Sequence, residues 1–198
     1  LAQEISPKLT VFRNNVLLNS KLFKRLEHIY NNMNLEKLNS EQKRLVSENY
    51  KDFKLNGALL NDIDKQKVRD IDEKLSKLAP KYSQNTLNAT NKYQFYTENE
   101  SELVGIPDLV KNQAAELARK KGKNSGWIFT LQMPSYIPVM QYAENRNLRK
   151  TLSIEFGKKA FGGEFDNQGI IKDIVKLRFE KAKILGFQDH AEYTLQKR

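Results

Sequence analysis

The sequence predicts a mainly α-helical protein that contains one small two-stranded β element. Apolar residues recur at spacings of three and four along most of the chain, which is the period of amphipathic helices. Helix-start signals, such as Asn39 followed three residues later by Gln42, and stop signals, such as Gly57 and Gly186, divide this pattern into segments. Strand patterns occur only near residues 93–97 and 127–131. We therefore expect helical hairpins and a bundle with a small sheet.

The first part of the chain, residues 1–91, is predicted to form the helical hairpins. Asn61 opens the longest helix, and its apolar residues form a seam that can pack along an antiparallel neighbour. Pro80 lies within this seam, so we expect a kink or a break near Leu78. The seam consists of Val68, Ile71, Leu75, Leu78 and Tyr82.

The second part, residues 92–198, is predicted to hold the small sheet and further helices. Between the two strands, Pro107 opens a helix that runs to roughly Lys121. If this helix is a simple crossover, the strands pair in parallel, and we favour that arrangement. Such a small sheet would be marginal by itself, so helices must cover its other edge or face.

The stretch from Gly126 to Lys150 is the least repetitive part of the sequence. It begins with a short run of β-forming residues that includes Trp127, the single tryptophan, and Pro134 ends that run. We predict that Ser135 caps the next helix, whose first turn tolerates Pro138. Later helices are expected to begin at Asn145 or Asn147 and at Asp166 or Asn167.

Composition narrows the class of protein. Of the 198 residues, 39% are hydrophobic and 29% are charged, which is typical of a folded chain. The absence of cysteine excludes disulfides, thiolate metal sites and thiol nucleophiles. No apolar run reaches the roughly 20 residues that span a bilayer. Because the chain starts at Leu1 and stops soon after an apolar helix pattern, we expect a fragment of a longer cytoplasmic protein, and a secretory signal would precede the sequence given.

The net charge of +10 has two interpretations. A basic helical module could bind nucleic acid, or serve as a scaffold for partner proteins. Alternatively, the 34 basic residues belong to a solvated exterior, because they are interspersed with 24 acidic ones along every predicted helix. We favour the solvated exterior and keep nucleic-acid binding or scaffolding as the alternative function.

The chemistry-bearing residues do not form a catalytic pattern. His28 and His190 are far apart in sequence, and no H-E-x-x-H, G-x-S-x-G or phosphate-binding glycine loop is present. Glu98, Glu100 and Glu102 fall in a polar loop that needs no catalytic explanation. We therefore predict that the chain contains no catalytic residue and no metal ligand.

Two long segments resemble a known enzyme family, the zinc-dependent oligopeptidases, which includes thimet oligopeptidase, oligopeptidase A and bacterial peptidyl-dipeptidase (dipeptidyl carboxypeptidase). They are G-W-I-F-T-L-Q-M-P-S-Y-I-P-V-M-Q-Y-A-E-N-R-N-L-R-K at 126–150 and L-R-F-E-K-A-K-I-L-G-F-Q-D-H-A-E-Y-T-L at 177–195. Shorter upstream segments, at 38–46, 56–60 and 75–85, are most similar to the peptidyl-dipeptidase branch. Pro80 departs from the continuous long helix usual in the family.

The resemblance implies a non-catalytic N-terminal lobe, residues 1–198, that forms one wall of a channel admitting short peptides. The zinc ligands and catalytic groups lie in the later half of family members, so none can be assigned here. The intact enzyme is expected to carry zinc, to pair this lobe with its own C-terminal catalytic lobe, and to release C-terminal dipeptides. We expect the fragment to bind no zinc, nucleic acid or membrane, and to be inactive alone.

Four residues match positions typical of the family: Trp127, Tyr136, Arg146 and Arg149. The functional interpretation is that they line the channel or contact the other lobe. The structural interpretation is that Trp127 anchors the core and that the arginines form ion pairs at helix ends. We favour the structural interpretation, because a large aromatic side chain on a buried strand usually packs.

Overall fold

The computed structural model describes residues 2–33 and 37–197, and it confirms a mainly α-helical fold with a small two-stranded sheet. The helices in these residues are α1 (Ala2–Leu17), α2 (Ser20–Asn32), α3 (Ser40–Leu55), α4 (Asp62–Lys92), α5 (Asp108–Lys120), α6 (Met133–Tyr142), α7 (Arg146–Gly157), α8 (Gln168–Ile184) and α9 (His190–Leu195). The strands are β1 (Phe95–Thr97) and β2 (Trp127–Phe129). Within the described ranges, none of the helices is both long and apolar enough to cross a bilayer.

The chain forms two compact units. Unit 1 comprises Leu1–Lys81 and Gly169–Arg198, and unit 2 comprises Tyr82–Gln168. This division differs from the subdivision at residue 91 that the sequence suggested, because the last turns of α4 associate with the sheet region and the segment after residue 169 rejoins the first helices. The assignment of the whole chain to one N-terminal lobe stays a prediction.

Unit 1 contains several side-chain helix caps, of which those at Asn39 and Asn61 were predicted above. The Asn19 side chain caps α2, and Asn39 and Gln42 form the expected capping box at α3. Asn61 accepts a hydrogen bond from the backbone of Asp64 at 2.8 Å, at the start of α4. Between α4 and α8, the Lys181 ammonium group lies 2.5 Å from the Asp72 carboxylate.

The predicted break at Pro80 does not occur. Helix α4 runs continuously from Asp62 to Lys92 with Pro80 inside it. Proline removes one backbone hydrogen bond, the one to the carbonyl group of Ser76, while the flanking turns keep theirs. A helix of 31 residues can therefore continue past this position.

Unit 2 is built around a buried apolar cluster to which β2, α5, α6 and α7 contribute. Phe129, Val139 and Leu152 have no exposed surface. The other members of the cluster are Leu103, Ile106, Ala114, Leu131, Ala143 and Leu148. Helix α5 packs against β2, so helical side chains cover the small sheet as predicted.

The parallel pairing that we favoured is wrong, because β1 and β2 are antiparallel with Tyr96 opposite Ile128. In a simple crossover the helix makes the whole return path between the strands. Here residues 98–107, which include a short 3₁₀ helix, lie between β1 and α5 and already lead the chain back along the sheet before α5 begins. The end of α5 consequently leads back to the end of β1, where Lys123 lies 4.6 Å from the ring centre of Tyr96.

The start of α6 also differs from the prediction. The helix begins at Met133, so Pro134 lies within its first turn and Pro138 lies further inside. The Ser135 hydroxyl group does not cap the helix but accepts a hydrogen bond from the Thr130 backbone at 3.0 Å. Proline fits the first turn because the N–H group that it lacks would have no helical partner there.

Candidate functional site

The four residues predicted from the sequence all lie in unit 2, and two of them pack on its core. Trp127 begins β2, is half-buried and contacts the apolar cluster. Tyr136, in α6, also packs on the cluster, and its ring stacks on that of Phe156 with centroids 4.2 Å apart. Both side chains therefore contribute to the packing of unit 2, and neither placement tests a role in a substrate channel.

The two arginines, both in α7, differ in what they contact. Arg149 donates hydrogen bonds to the backbone carbonyl groups of Ala143 and Glu144, directly after the end of α6. It therefore satisfies carbonyl groups at a helix end rather than forming the predicted ion pair. Asn145, not Asn147, caps α7, and Arg146 follows as its first residue. Within the described residues, Arg146 is exposed and its guanidinium group has no ion pair or hydrogen bond.

Sequence reasoning missed a small cavity in unit 2. It has a volume of about 220 Å³ and lies between the last turns of α4 and the loop that follows α7. Its charged lining consists of three lysines and two glutamates, and its apolar lining includes Tyr93 and Leu131. The segment G-K-K-A-F-G-G at 157–163 was a signal for a loop, but the residues that face it are distant in sequence.

The loop beside this cavity is held in an unusual conformation. Ala160 has φ = 55°, and it alone has a positive φ among the non-glycine residues that the structure describes. Its carbonyl group accepts a hydrogen bond from the backbone of Asn167 at 2.9 Å. The Asp166 carboxylate accepts hydrogen bonds from the backbone of Gly162 at 3.0 Å and of Gln168 at 3.1 Å, and these two bonds hold the pKa of Asp166 below its usual range.

The Asn167 side chain ties this loop to α4. It is 2% exposed, accepts a hydrogen bond from the Asn85 amide at 3.0 Å and donates one to the Tyr82 carbonyl group at 3.0 Å. A further donor contact reaches the Thr86 hydroxyl group at 3.2 Å. The loop is consequently positioned by buried polar contacts and not by apolar packing alone.

One lysine of the cavity has an unusual environment. The Lys159 ammonium group lies 3.4 Å from the ring centre of Phe156, on the stack that Phe156 forms with Tyr136. Burial lowers the pKa of Lys159. Within the described residues its ammonium group has no carboxylate partner, whereas Lys92 is paired with Glu164 at 2.5 Å.

The polar loop after β1 has a structural role. Glu98 accepts hydrogen bonds from the hydroxyl groups of Ser125 at 2.5 Å and Tyr96 at 2.6 Å, and these lower the pKa of Glu98. Glu102 accepts one from the Thr97 hydroxyl group at 2.7 Å. The two carboxylates therefore hold the end of the sheet at which β1 finishes and β2 begins.

Neither histidine lies in an arrangement that fits a zinc site. No group of three or more histidine, aspartate or glutamate residues suited to a metal ion occurs within residues 2–33 and 37–197. His28 contacts the amide of Asn32 at 3.5 Å. The His190 Nδ1 atom is buried without a hydrogen-bond partner, and burial, together with the nearby charges of Arg178 and Lys181, lowers the pKa of His190.

Comparisons with known proteins identify the family. Residues 139–198 match the profile of Peptidase family M3. The chain is 32% identical, over 98% of its length, to the "Probable cytosolic oligopeptidase A" of Arabidopsis thaliana, of which it covers 28%. It is 37% identical to the Haemophilus influenzae "Oligopeptidase A" over 78% of the chain and 23% of that protein. For the Escherichia coli "Dipeptidyl carboxypeptidase" the identity is 28%, over 98% of the chain and 29% of that protein.

These identities and coverages show how much of each relative the chain spans and which branch of the family it resembles more. The chain spans roughly a quarter of the length of the curated relatives that it matches. Its identity to the two oligopeptidase A sequences exceeds its identity to dipeptidyl carboxypeptidase, so overall similarity favours oligopeptidase A over the branch that the short upstream segments suggested. As the segments at 126–150 and 177–195 predicted, the chain belongs to peptidase family M3.

Proposed function

We propose that this chain is the N-terminal, non-catalytic lobe of a zinc metallopeptidase that hydrolyses short peptides, and that it forms one wall of the substrate channel. The observation that carries the proposal is the alignment of nearly the whole chain with a limited part of proteins named as peptidases. The described residues offer no three-ligand metal group, so the zinc ligands are expected elsewhere in the intact protein. Zinc there would activate a water molecule for attack on the peptide carbonyl group.

The experiment that tests this proposal uses the parent gene. Its translation is expected to contain an H-E-x-x-H helix, and the purified parent protein should hold one zinc ion and cleave short peptides. The 198-residue chain, measured in parallel, should do neither. A parent reading frame without the two-histidine helix would refute the assignment, and cleavage by the isolated chain would refute its non-catalytic role.

The products distinguish the two branches of the family. Release of C-terminal dipeptides is the outcome that the peptidyl-dipeptidase resemblance implies. One hexapeptide, prepared with a free and with an amidated C-terminus, separates the possibilities. Loss of cleavage on amidation supports dipeptide release, because an enzyme of that type must recognise the terminal carboxylate. Equal cleavage of both peptides supports an oligopeptidase that cuts at internal bonds.

Arg146 is the best candidate for contact with the catalytic lobe or the substrate. Of the four predicted residues, Trp127 and Tyr136 pack on the core and Arg149 binds backbone carbonyl groups. Arg146 alone among these four is exposed without a partner in the described chain. In the parent enzyme, Arg146→Ala should reduce kcat/KM severalfold, while the neighbouring exposed Lys150→Ala should not. Equal effects of the two variants would contradict a specific role for Arg146.

No observation favours the alternative of a nucleic-acid-binding or scaffold module. Many surface lysines form ion pairs with acidic neighbours, as in the pairs Lys77–Glu73 and Lys120–Glu116, both at 2.6 Å.

We further propose a cytoplasmic location, which is supported by the word "cytosolic" in the name of one relative.

A further inference from the structure

The cavity in unit 2 provides a positively charged environment next to an apolar wall. Lys92, Lys158 and Lys159 oppose Glu155 and Glu164 in its lining. The pair between Lys92 and Glu164 neutralises one charge of each sign. Two lysines and one glutamate remain, so the cavity keeps an excess of one positive charge.

The cation most suited to an anion is Lys159. Its ammonium group rests on the Phe156 ring and has no carboxylate partner within the described residues. A cation–π contact leaves ammonium hydrogens free to donate, whereas an ion pair would engage them. Lys159 lines the cavity, so a carboxylate that entered could accept a charge-assisted hydrogen bond from its ammonium group.

The size of the cavity limits what can bind. Its volume of about 220 Å³ is below the range of about 300–1,000 Å³ that is typical for drug-sized ligands. A group of the size of one amino-acid residue fits this limit. Tyr93, Leu131 and Phe165 supply apolar surface for such a residue's side chain.

The cavity is also held in shape without a ligand. Ala160, which lines it, has a backbone conformation that costs free energy for a residue with a Cβ atom. The hydrogen bonds of Asn167 to Ala160 and to α4 maintain that conformation. Backbone strain that is maintained by surrounding contacts is often found at binding sites. A loop that is already ordered loses less conformational entropy when a ligand binds.

We propose that this cavity binds the α-carboxylate of a small apolar amino-acid residue, either as the free amino acid or at the C-terminus of a peptide. Lys159 pairs with the carboxylate, and the wall formed by Tyr93 and Leu131 contacts the side chain. Glu155, which also lines the cavity and is not paired with Lys92, is the carboxylate available to the ammonium group of a free amino acid. The binding itself does not rest on the proposed peptidase function, but its use in holding a peptide substrate does.

The test is a calorimetric titration of the 198-residue chain at pH 7 with three probes: leucine, N-acetyl-leucine and N-acetyl-leucinamide. The amide lacks the carboxylate and should bind at least tenfold more weakly than N-acetyl-leucine. Tighter binding of leucine than of N-acetyl-leucine would identify the free amino acid as the ligand, and the reverse would identify a peptide C-terminus. Equal binding of the acid and the amide, or no binding of any probe at millimolar concentration, overturns the proposal.

Three variants locate the site. Lys159→Met removes the charge while keeping an unbranched side chain, and it should weaken binding of N-acetyl-leucine at least tenfold. Lys159→Arg keeps the charge and should stay within about threefold of the parent chain. The same holds for Lys150→Met, which changes an exposed lysine of α7 that does not line the cavity. Unchanged binding by a folded Lys159→Met chain overturns the assignment. Failure of this titration would leave the zinc and cleavage tests of the parent protein unaffected.

Discussion

The buried hydrogen-bond group around Asn167 offers the sharpest test of how unit 2 is held together. The side chain is 2% exposed and makes two hydrogen bonds of 3.0 Å, one from the amide of Asn85 and one to the carbonyl group of Tyr82. Asn167→Ala removes both and leaves the Asn85 amide, which is 7% exposed, without this acceptor. Each lost hydrogen bond costs about 1 kcal/mol and a buried unpaired amide about 1–3 kcal/mol. We expect the free energy of unfolding to fall by about 3–5 kcal/mol.

The assay can report on unit 2 specifically because the chain has a single tryptophan, Trp127, in β2. Urea unfolding followed by its fluorescence gives the free energy of unfolding for Asn167→Ala and for a matched control, Asn91→Ala. Asn91 also lies in α4 and makes one side-chain hydrogen bond, from Gln132 at 3.0 Å, but it is exposed. The control should change stability by no more than about 0.5 kcal/mol.

A double-mutant cycle strengthens this test. Since Asn85 and Asn167 are direct partners, replacing both by alanine should cost less than the sum of the two single replacements, by about 0.5–3 kcal/mol. The reasoning is refuted if Asn167→Ala costs no more than Asn91→Ala, or if the two single effects simply add.

Two further variants test backbone strain and proton linkage. Gly122 and Gly126 both have positive φ, near 80°. A Cβ atom at Gly126 would lie 2.5 Å from the Thr97 carbonyl oxygen. A Cβ atom at Gly122 would have none of the described atoms within 4 Å, apart from those of its chain neighbours. Gly122→Ala should cost about 1–2 kcal/mol and Gly126→Ala clearly more, and equal losses in urea unfolding would contradict the predicted clash. Because burial lowers the pKa of His190, the unfolded chain binds more protons below about pH 6.5 and stability falls as the pH decreases from there. The His190→Gln variant should therefore lose less stability than the parent chain when the pH is lowered from 7 to 5. Unfolding followed by circular dichroism measures this, and His28→Gln serves as the control. Identical pH dependence of the parent chain and His190→Gln would exclude this linkage.

Local features of the fold were predictable because they depend on neighbours in sequence. The capping box of Asn39 and Gln42 needs only a side chain and the backbone three residues away, so its pattern identified the start of α3. Gly186 follows α8 with φ = 86°, as its position at the end of an apolar pattern indicated. The mainly α-helical class follows from the sum of such local signals.

Features that depend on distant residues were not predictable in the same way. The direction of the β1–β2 pairing is decided by the path of residues 98–107, whose 3₁₀ turn carries no strong pattern. The cavity requires residues of α4 and of the loop after α7 to meet, and a positive φ at Ala160 has no signal in an alanine. The exposed Arg146 and the helix-end Arg149 were found only through family resemblance, which does not reveal what each side chain contacts.

The measurement that tests the central claim most directly is the zinc content of the parent protein and of the 198-residue chain, determined by mass spectrometry alongside a peptide-cleavage assay. We expect one zinc ion per molecule and cleavage for the parent protein, and neither for the chain alone. A parent protein that cleaves no peptide and holds no zinc, or a 198-residue chain that does both, would contradict the proposal that this chain is the non-catalytic lobe of a zinc peptidase.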